Sequence, residues 1–239
     1  HVMLNAYSSF SGLTLTASYT ADTGGGGGGG TPPPGSDDPA GYSYSTYYSN
    51  AIGQTGGNLK TALNGVIKQG HTKLSYTPGV WDALGFTDED PANTNNVLLI
   101  YKGTSISKSE RAGQSNSQDA WNREHVWAKS HGFPSSGQWA YTDIHHLRPS
   151  DVSINSTRSN KDFDNGGTAI SEAPENKTDS DSFEPRDEVK GDVARMVFYM
   201  DVRYEGNDSS GTPDLEVADY VGTGSSPLLG KLCTLVAWH

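Results

Sequence analysis

The chain has 239 residues, of which 33% are hydrophobic, with 17 Lys and Arg against 28 Asp and Glu for a formal net charge of −11. That length allows one good-sized domain with or without appendages, and the lone Cys233 excludes an intrachain disulfide or a cysteine-built zinc site. No apolar run approaches the roughly 20 residues of a membrane helix, and the acidic balance argues against nucleic-acid binding by the surface as a whole.

The opening residues, HVMLNAYSSF, lack the basic and apolar regions of a secretory leader. A chain that does not begin with Met is read as a processed or excised piece. Residues 2–7 and 13–19 alternate as two short strands around SSFSG. Two strands do not make a stable domain, so residues 1–20 are expected to be the remnant of an upstream β module. Residues 21–40 form a linker, with seven consecutive glycines giving a flexible part and three prolines a stiff one.

Residues 41–239 are expected to form one domain. The tyrosine run GYSYSTYYS is expected to pack its start. GNLKTALNGVIKQG carries Leu59, Leu63, Val66 and Ile67 at helical spacing. NNVLLIYKG predicts a buried strand and residues 122–127 another. SDVSINSTRSNKDF follows Pro149 and predicts a polar helix with Ser150 as its cap. PRDEVKGDVARMVFYMDVRY predicts an amphipathic helix with Val189, Val193, Met196, Val197 and Met200 on one face. PLLGKLCTLVAWH predicts the start of a last helix, with Cys233 as a small buried residue on it. EGNDSSGTPDLE reads as a solvated loop, not a calcium site.

Two stretches carry the chemistry, NREHVWAKSHGF at 122–133 and DIHHLRPSDVSINSTRSNKDF at 143–163. Acid, imidazole, amide and guanidinium groups this dense serve no packed core, where unpaired polar groups are costly. The oxygens of Glu124 and Asn155 are hard ligands that suit Mg²⁺ or Ca²⁺ better than zinc. A neutral His125 beside them can take a proton from water. A hard cation and its water next to a base are what phosphodiester hydrolysis needs. Arg158 lies three residues after Asn155 on the same helical face, and Arg148 just before the helix. Either could clamp a phosphate, and Arg123 is a further candidate. Between residues 101 and 164 there are eight basic and seven acidic residues, so this stretch is near neutral while the rest holds the acidic excess. Residues alone thus imply a metal-assisted hydrolase of phosphodiesters.

REHVWAKSHGF, DIHHLRPSDVSINSTRSNKDF and GDVARMVFYMDVRY, in that order, resemble the bacterial endonuclease I family over roughly residues 59–239. The resemblance implies an α+β fold, mixed helices and short sheets built around a ββα-metal (His-Me) finger. It implies His125 as general base, and Glu124 and Asn155 as ligands of one Mg²⁺ (Ca²⁺ or Mn²⁺ as substitutes). It also implies a secreted bacterial enzyme that cuts DNA, and RNA too, without sequence preference through backbone contacts, leaving 5′-phosphate ends. A monomer with no membrane and no obligate protein partner is expected. The chain departs from the family pattern at Ala128, where proline is usual. It also stops at His239, where relatives continue into a tail. Residues 1–20 resemble the closing strands of the secreted pre-peptidase C-terminal module.

Other readings compete. Asn160 is a rival ligand to Asn155. Zinc could recruit His125, His131, His145 and His146, but no close-spaced pair on one helix exists; Asp143 and His145 are instead expected to orient the finger. A metallopeptidase would carry His-Glu-x-x-His, and the order here is Glu-His on a strand. A non-catalytic module binding nucleic acid or polysaccharide would not set a carboxylate beside a histidine. Arg195 and Arg203 read as structural ion-pair partners. Asn155-Ser156-Thr157 fits a glycosylation signal, and a ligand role there suits a host that leaves it unmodified, most simply a bacterium. Finally, neighbours on a regular strand face opposite ways, so the strand is expected to end, bend or bulge at residues 124–125 if both face one site.

Overall fold

In the computed structural model the described residues are 47–114 and 119–239. Residues 47–71 belong to one compact unit and residues 72–239 to another. The expected N-terminal strands, the linker and the first part of the tyrosine run lie outside the described residues. In the first unit, α1 (Gly56–Ile67) forms where the apolar spacing placed it and buries Leu59, Leu63 and Val66.

The second unit follows the order α2 (Trp81–Thr87), β1 (Glu89–Asp90), β2 (Asn93–Leu98), β3 (Ser105–Ser107), β4 (Trp121–His125), β5 (Leu147–Asp151), α3 (Val152–Arg158), β6 (Asp162–Phe163), β7 (Thr168–Ile170), β8 (Ala173–Thr178), β9 (Ser182–Glu184), α4 (Asp187–Arg203), β10 (Glu216–Ala218), β11 (Leu228–Gly230) and α5 (Leu232–Trp238). The sheets are small: β1-β2-β3, β4-β5, β6-β9-β8-β7, and a parallel pair β10-β11. The class is α+β, as expected. β4 and β5 pair antiparallel, and α3 follows β5 without a break, so the three form a ββα unit.

Two hydrophobic clusters meet along this unit. Trp121 and Leu147 belong to one, with Trp81, Leu84 and Val97. Val126 and Trp127, just past the end of β4, belong to the other, with Phe133, Phe163, Phe183 and the buried face of α4. Each such side chain, taken fully from water, contributes roughly 1.5–3 kcal/mol. β4 is therefore anchored at both ends by apolar burial, and its middle is left for polar residues. α4 buries the expected Val189, Val193, Met196, Val197 and Met200.

Three local expectations need correction. The strand expected within NNVLLIYKG is β2, which starts earlier and stops at Leu98; only Val97 of its six residues is buried. Leu99 accepts from Gly103, whose φ of +64° closes the turn, and Ile100 donates to Pro149, so the apolar run leaves the ladder to pack. The cap of α3 is Asp151, not Ser150: Asp151 Oδ1 accepts from the backbone N–H groups of Ser153 and Ile154, while Ser150 is spent as a β5 residue opposite Asn122. Cys233 lies on α5 but is exposed, because Thr234 and Leu235 take the buried side of that short helix.

Candidate active-site cleft

The β4–β5 ladder is in register throughout, with Asn122 opposite Ser150, Glu124 opposite Arg148 and His125 opposite Leu147. No bulge or register shift occurs at 124–125. The strand instead stops at His125 and the chain bends at 126–127, with the Val126 N–H still donating to the His146 carbonyl. Side chains therefore alternate in the ordinary way. Asn122 and Glu124 share one face; Arg123 and His125 share the other. A cleft of about 550 Å³ nonetheless touches all four, and Asn155 and Arg158 as well.

On the first face, the Glu124 carboxylate is buried. Its Oε1 accepts from the Tyr101 hydroxyl at 2.7 Å and lies 3.4 Å from Arg158. Burial pushes this carboxyl above the ordinary glutamate range, against the pull of Arg158 and Tyr101. Asn155, on α3, donates its side-chain amide to Asn122 Oδ1 at 2.7 Å. That bond ties Asn155 to the same face of β4, one strand repeat from Glu124. Among the described residues, Asn155 Oδ1 takes no hydrogen bond, while the Glu124 carboxylate is held by Tyr101, Arg158 and the backbone N–H of His125. A buried carboxylate and an amide oxygen, both lining one cleft, fit a hard divalent ion that keeps several waters. Among the described residues no group of three His, Cys, Asp or Glu side chains could hold a metal, which leaves the zinc reading without support.

On the second face, His125 sits among aromatic rings. Its ring lies 6.0 Å from Tyr76, stacked, and 4.9 Å from Tyr141, edge-on. Its Nε2 is 2.9 Å from the Tyr141 carbonyl oxygen. A carbonyl only accepts, so Nε2 carries the hydrogen and Nδ1 of the neutral ring keeps its lone pair. Burial, with His146, Lys129 and Arg123 adding to it, holds the imidazole well below the usual histidine value, although the Tyr141 carbonyl pulls upward. His146 behind it is fully buried, bonds the Ala140 carbonyl through Nε2, and is pushed by burial down to about 4. Asp143 accepts from His145 at one oxygen and from the Tyr199 and Tyr204 hydroxyls at the other. Burial alone would raise that carboxyl, but the His145 contacts hold it well below the usual range. Asp143 thus ties the approach to β5 to α4 and the residue that follows it.

Of the two arginines expected at the phosphate, one lies off the cleft and the other within its lining. Arg148 does not line the cleft: it donates to the Ile144 and Leu147 carbonyls, and its Nε lies 3.5 Å from Asp88. It sits opposite Glu124 in the ladder, and its long side chain finds an acid on the far side. Arg158 lines the cleft but has no exposure at all. It donates to the His125 carbonyl at 3.0 Å and the Val126 carbonyl at 2.6 Å, and lies 4.8 Å over the Phe163 ring. Those donors are spent on holding the end of β4. Asn160 is exposed at the cleft's margin, and Arg195 and Arg203 pair with Asp192 and Asp208, as expected of structural residues. Sequence reasoning missed Tyr76 and Lys129 as cleft residues; neither sits in a pattern that separates a site residue from a surface one.

The family model for endonuclease I matches residues 55–228. The chain belongs to the endonuclease I family. It is 59% identical over 194 residues to a protein of Bacillus amyloliquefaciens named extracellular ribonuclease, and 58% identical over 194 residues to one of the same name from Bacillus subtilis (strain 168). Each match covers 81% of this chain and 65% of the relative. The ββα unit with its cleft lies inside the matched region of this endonuclease I domain.

Two outcomes follow from the site's construction. Arg158→Met leaves Glu124 buried without its cation and two buried carbonyls without a donor, so unfolding in urea should show a loss of about 3–5 kcal/mol. A variant as stable as the parent contradicts the structural role of Arg158. His125 and His146 are neutral when folded but titrate near 6.5 when unfolded. The unfolded chain then binds more protons between about pH 6.5 and 4, so stability measured in EDTA should fall as pH drops through that window, by up to about 1.4 kcal/mol per pH unit for each histidine. Flat stability across it contradicts the buried neutral pair.

Proposed function

We propose that the chain is a secreted, sequence-non-specific endonuclease that hydrolyses phosphodiester bonds in RNA and DNA to 5′-phosphate ends. One observation carries the reading: His125 is a neutral imidazole whose Nε2 is committed to the Tyr141 carbonyl, in a cleft that is also lined by the Glu124 carboxylate and the Asn155 amide. Membership of the endonuclease I family supports the reaction class. The name of the two Bacillus relatives, extracellular ribonuclease, supports both RNA as a substrate and export from the cell.

In this reading His125 Nδ1 takes a proton from a water in the cleft. The resulting hydroxyl forms a bond to phosphorus while the bond to the 3′-oxygen breaks, and the leaving oxygen takes up a proton from solvent. The Tyr141 carbonyl keeps the base in the tautomer that can accept, and it stabilises the imidazolium once formed. Glu124 and Asn155 would hold one Mg²⁺, with Ca²⁺ or Mn²⁺ as substitutes, which supplies positive charge to the phosphoryl oxygens and the leaving oxygen. Arg158 and Tyr101 hold the Glu124 carboxylate in place and exclude water from one of its oxygens. Loss of a general base costs typically 10²–10⁴-fold. His125→Ala should therefore lower kcat/KM by about that factor on both plasmid DNA and an RNA transcript in Mg²⁺, and EDTA should abolish cleavage by the parent. Near-parent rates from the variant overturn the base assignment.

A further inference from the structure

With Arg148 and Arg158 spent elsewhere, the cleft needs another source of positive charge for a phosphate. The basic residues between 101 and 164 are nearly all committed. Lys102 pairs with Asp151, Lys108 with Glu89, Arg111 with Asp82 and Arg148 with Asp88, while Lys161 donates to the Thr178 hydroxyl. Among the described residues of this stretch, Arg123, Lys129 and Lys161 have no carboxylate partner, and of the three Arg123 and Lys129 line the cleft.

What holds them is unusual for surface cations. Arg123 stacks on the Tyr76 ring, 3.4 Å from its centroid, and lies 4.2 Å from that of Trp81. Its guanidinium also donates to the Tyr76 carbonyl and to the Thr77 hydroxyl at 3.0 Å. Lys129 donates to the Tyr141 hydroxyl at 3.1 Å, with its Nζ 5.2 Å from the same ring. The two tyrosines touch edge to face at 4.7 Å, and both contact His125. A carboxylate would fix such a side chain and cancel its charge. Aromatic faces and neutral oxygens fix it and leave the charge whole. In a chain of net charge −11, two orienting tyrosines thus present two uncancelled cations beside the imidazole.

We propose that Arg123 and Lys129 are the phosphate-holding residues of this cleft, seating consecutive phosphates of a nucleic-acid strand on the His125 side of β4. The proposal rests on the nuclease reading above and adds to it which residues grip the substrate. Each cation that releases a counterion on binding a single strand contributes about 0.7 to the slope of log affinity against log salt.

The test uses the full chain carrying His125→Ala, titrated with a labelled 20-nucleotide single-stranded DNA from low to moderate salt, and the same chain with Arg123→Gln, Lys129→Gln or Arg123→Lys added. Each glutamine variant should bind more weakly and lose roughly 0.7 from the slope, while Arg123→Lys keeps the slope. In the otherwise unchanged chain both glutamine changes should raise KM more than they lower kcat. If Arg123→Gln does not fold, the exposed Lys129 carries the same test. Glutamine variants that match the parent in affinity and slope overturn the proposal. A chain with its native His125 that cuts neither RNA nor DNA fails the nuclease reading instead, so the two failures are separable.

Discussion

The end of β4 is held by a guanidinium with no route to water. Arg158 bridges the His125 and Val126 carbonyls, faces Glu124 at 3.4 Å and covers Phe163. Two hydrogen bonds to carbonyls orient a planar fork far better than a lysine could. A buried ion pair of this kind is not required for stability in itself. Its effect here is positional: it stops the strand at His125, turns the chain toward Trp127, and keeps one oxygen of Glu124 occupied. Every other feature of the cleft depends on where that strand end sits.

From this end the alternation of an ordinary strand separates two kinds of chemistry. One face carries oxygens, those of Asn122 and Glu124, and draws in Asn155 through a hydrogen bond from its side-chain amide. The other carries a base among rings, with Arg123 beside it. Ligand and base need not lie on one face, because the cleft passes both. The same division keeps the opposite charges apart. The carboxylate is compensated from within by Arg158, and the cations on the other face are left uncancelled. An acidic chain thereby offers an anion a local welcome that its net charge would not indicate.

Much of this was legible in the sequence. The α4 periodicity named its buried face residue by residue, and the pairing of EH with a following polar helix implied β4 and α3 and brought Glu124, His125 and Asn155 to one cleft. What the sequence could not show was where long side chains end. Arg148 and Arg158 stand near the site in sequence, but guanidinium groups reach 6 Å or so from the backbone, and buried carbonyls and Asp88 claimed them. Arg123 looked no better than its neighbours until Tyr76, 47 residues away, was found stacked on it. The strand ends at His125, one of the forms expected there, yet Glu124 and His125 still face opposite ways and the cleft reaches both. Asp151 displaced Ser150 as helix cap because a carboxylate reaches two N–H groups at once while Ser150 was taken by the ladder.

The claim on which the mechanism turns is that Glu124 and Asn155 together receive a hard cation while His125 stays out of its coordination shell. A crystal soaked in Mn²⁺ tests it through the anomalous signal. The account predicts one peak in the cleft bonded to a Glu124 carboxylate oxygen and to Asn155 Oδ1, with the His125 ring free of it. A peak bonded to the histidines, or a saturated crystal with no peak between residues 124 and 155, would contradict it.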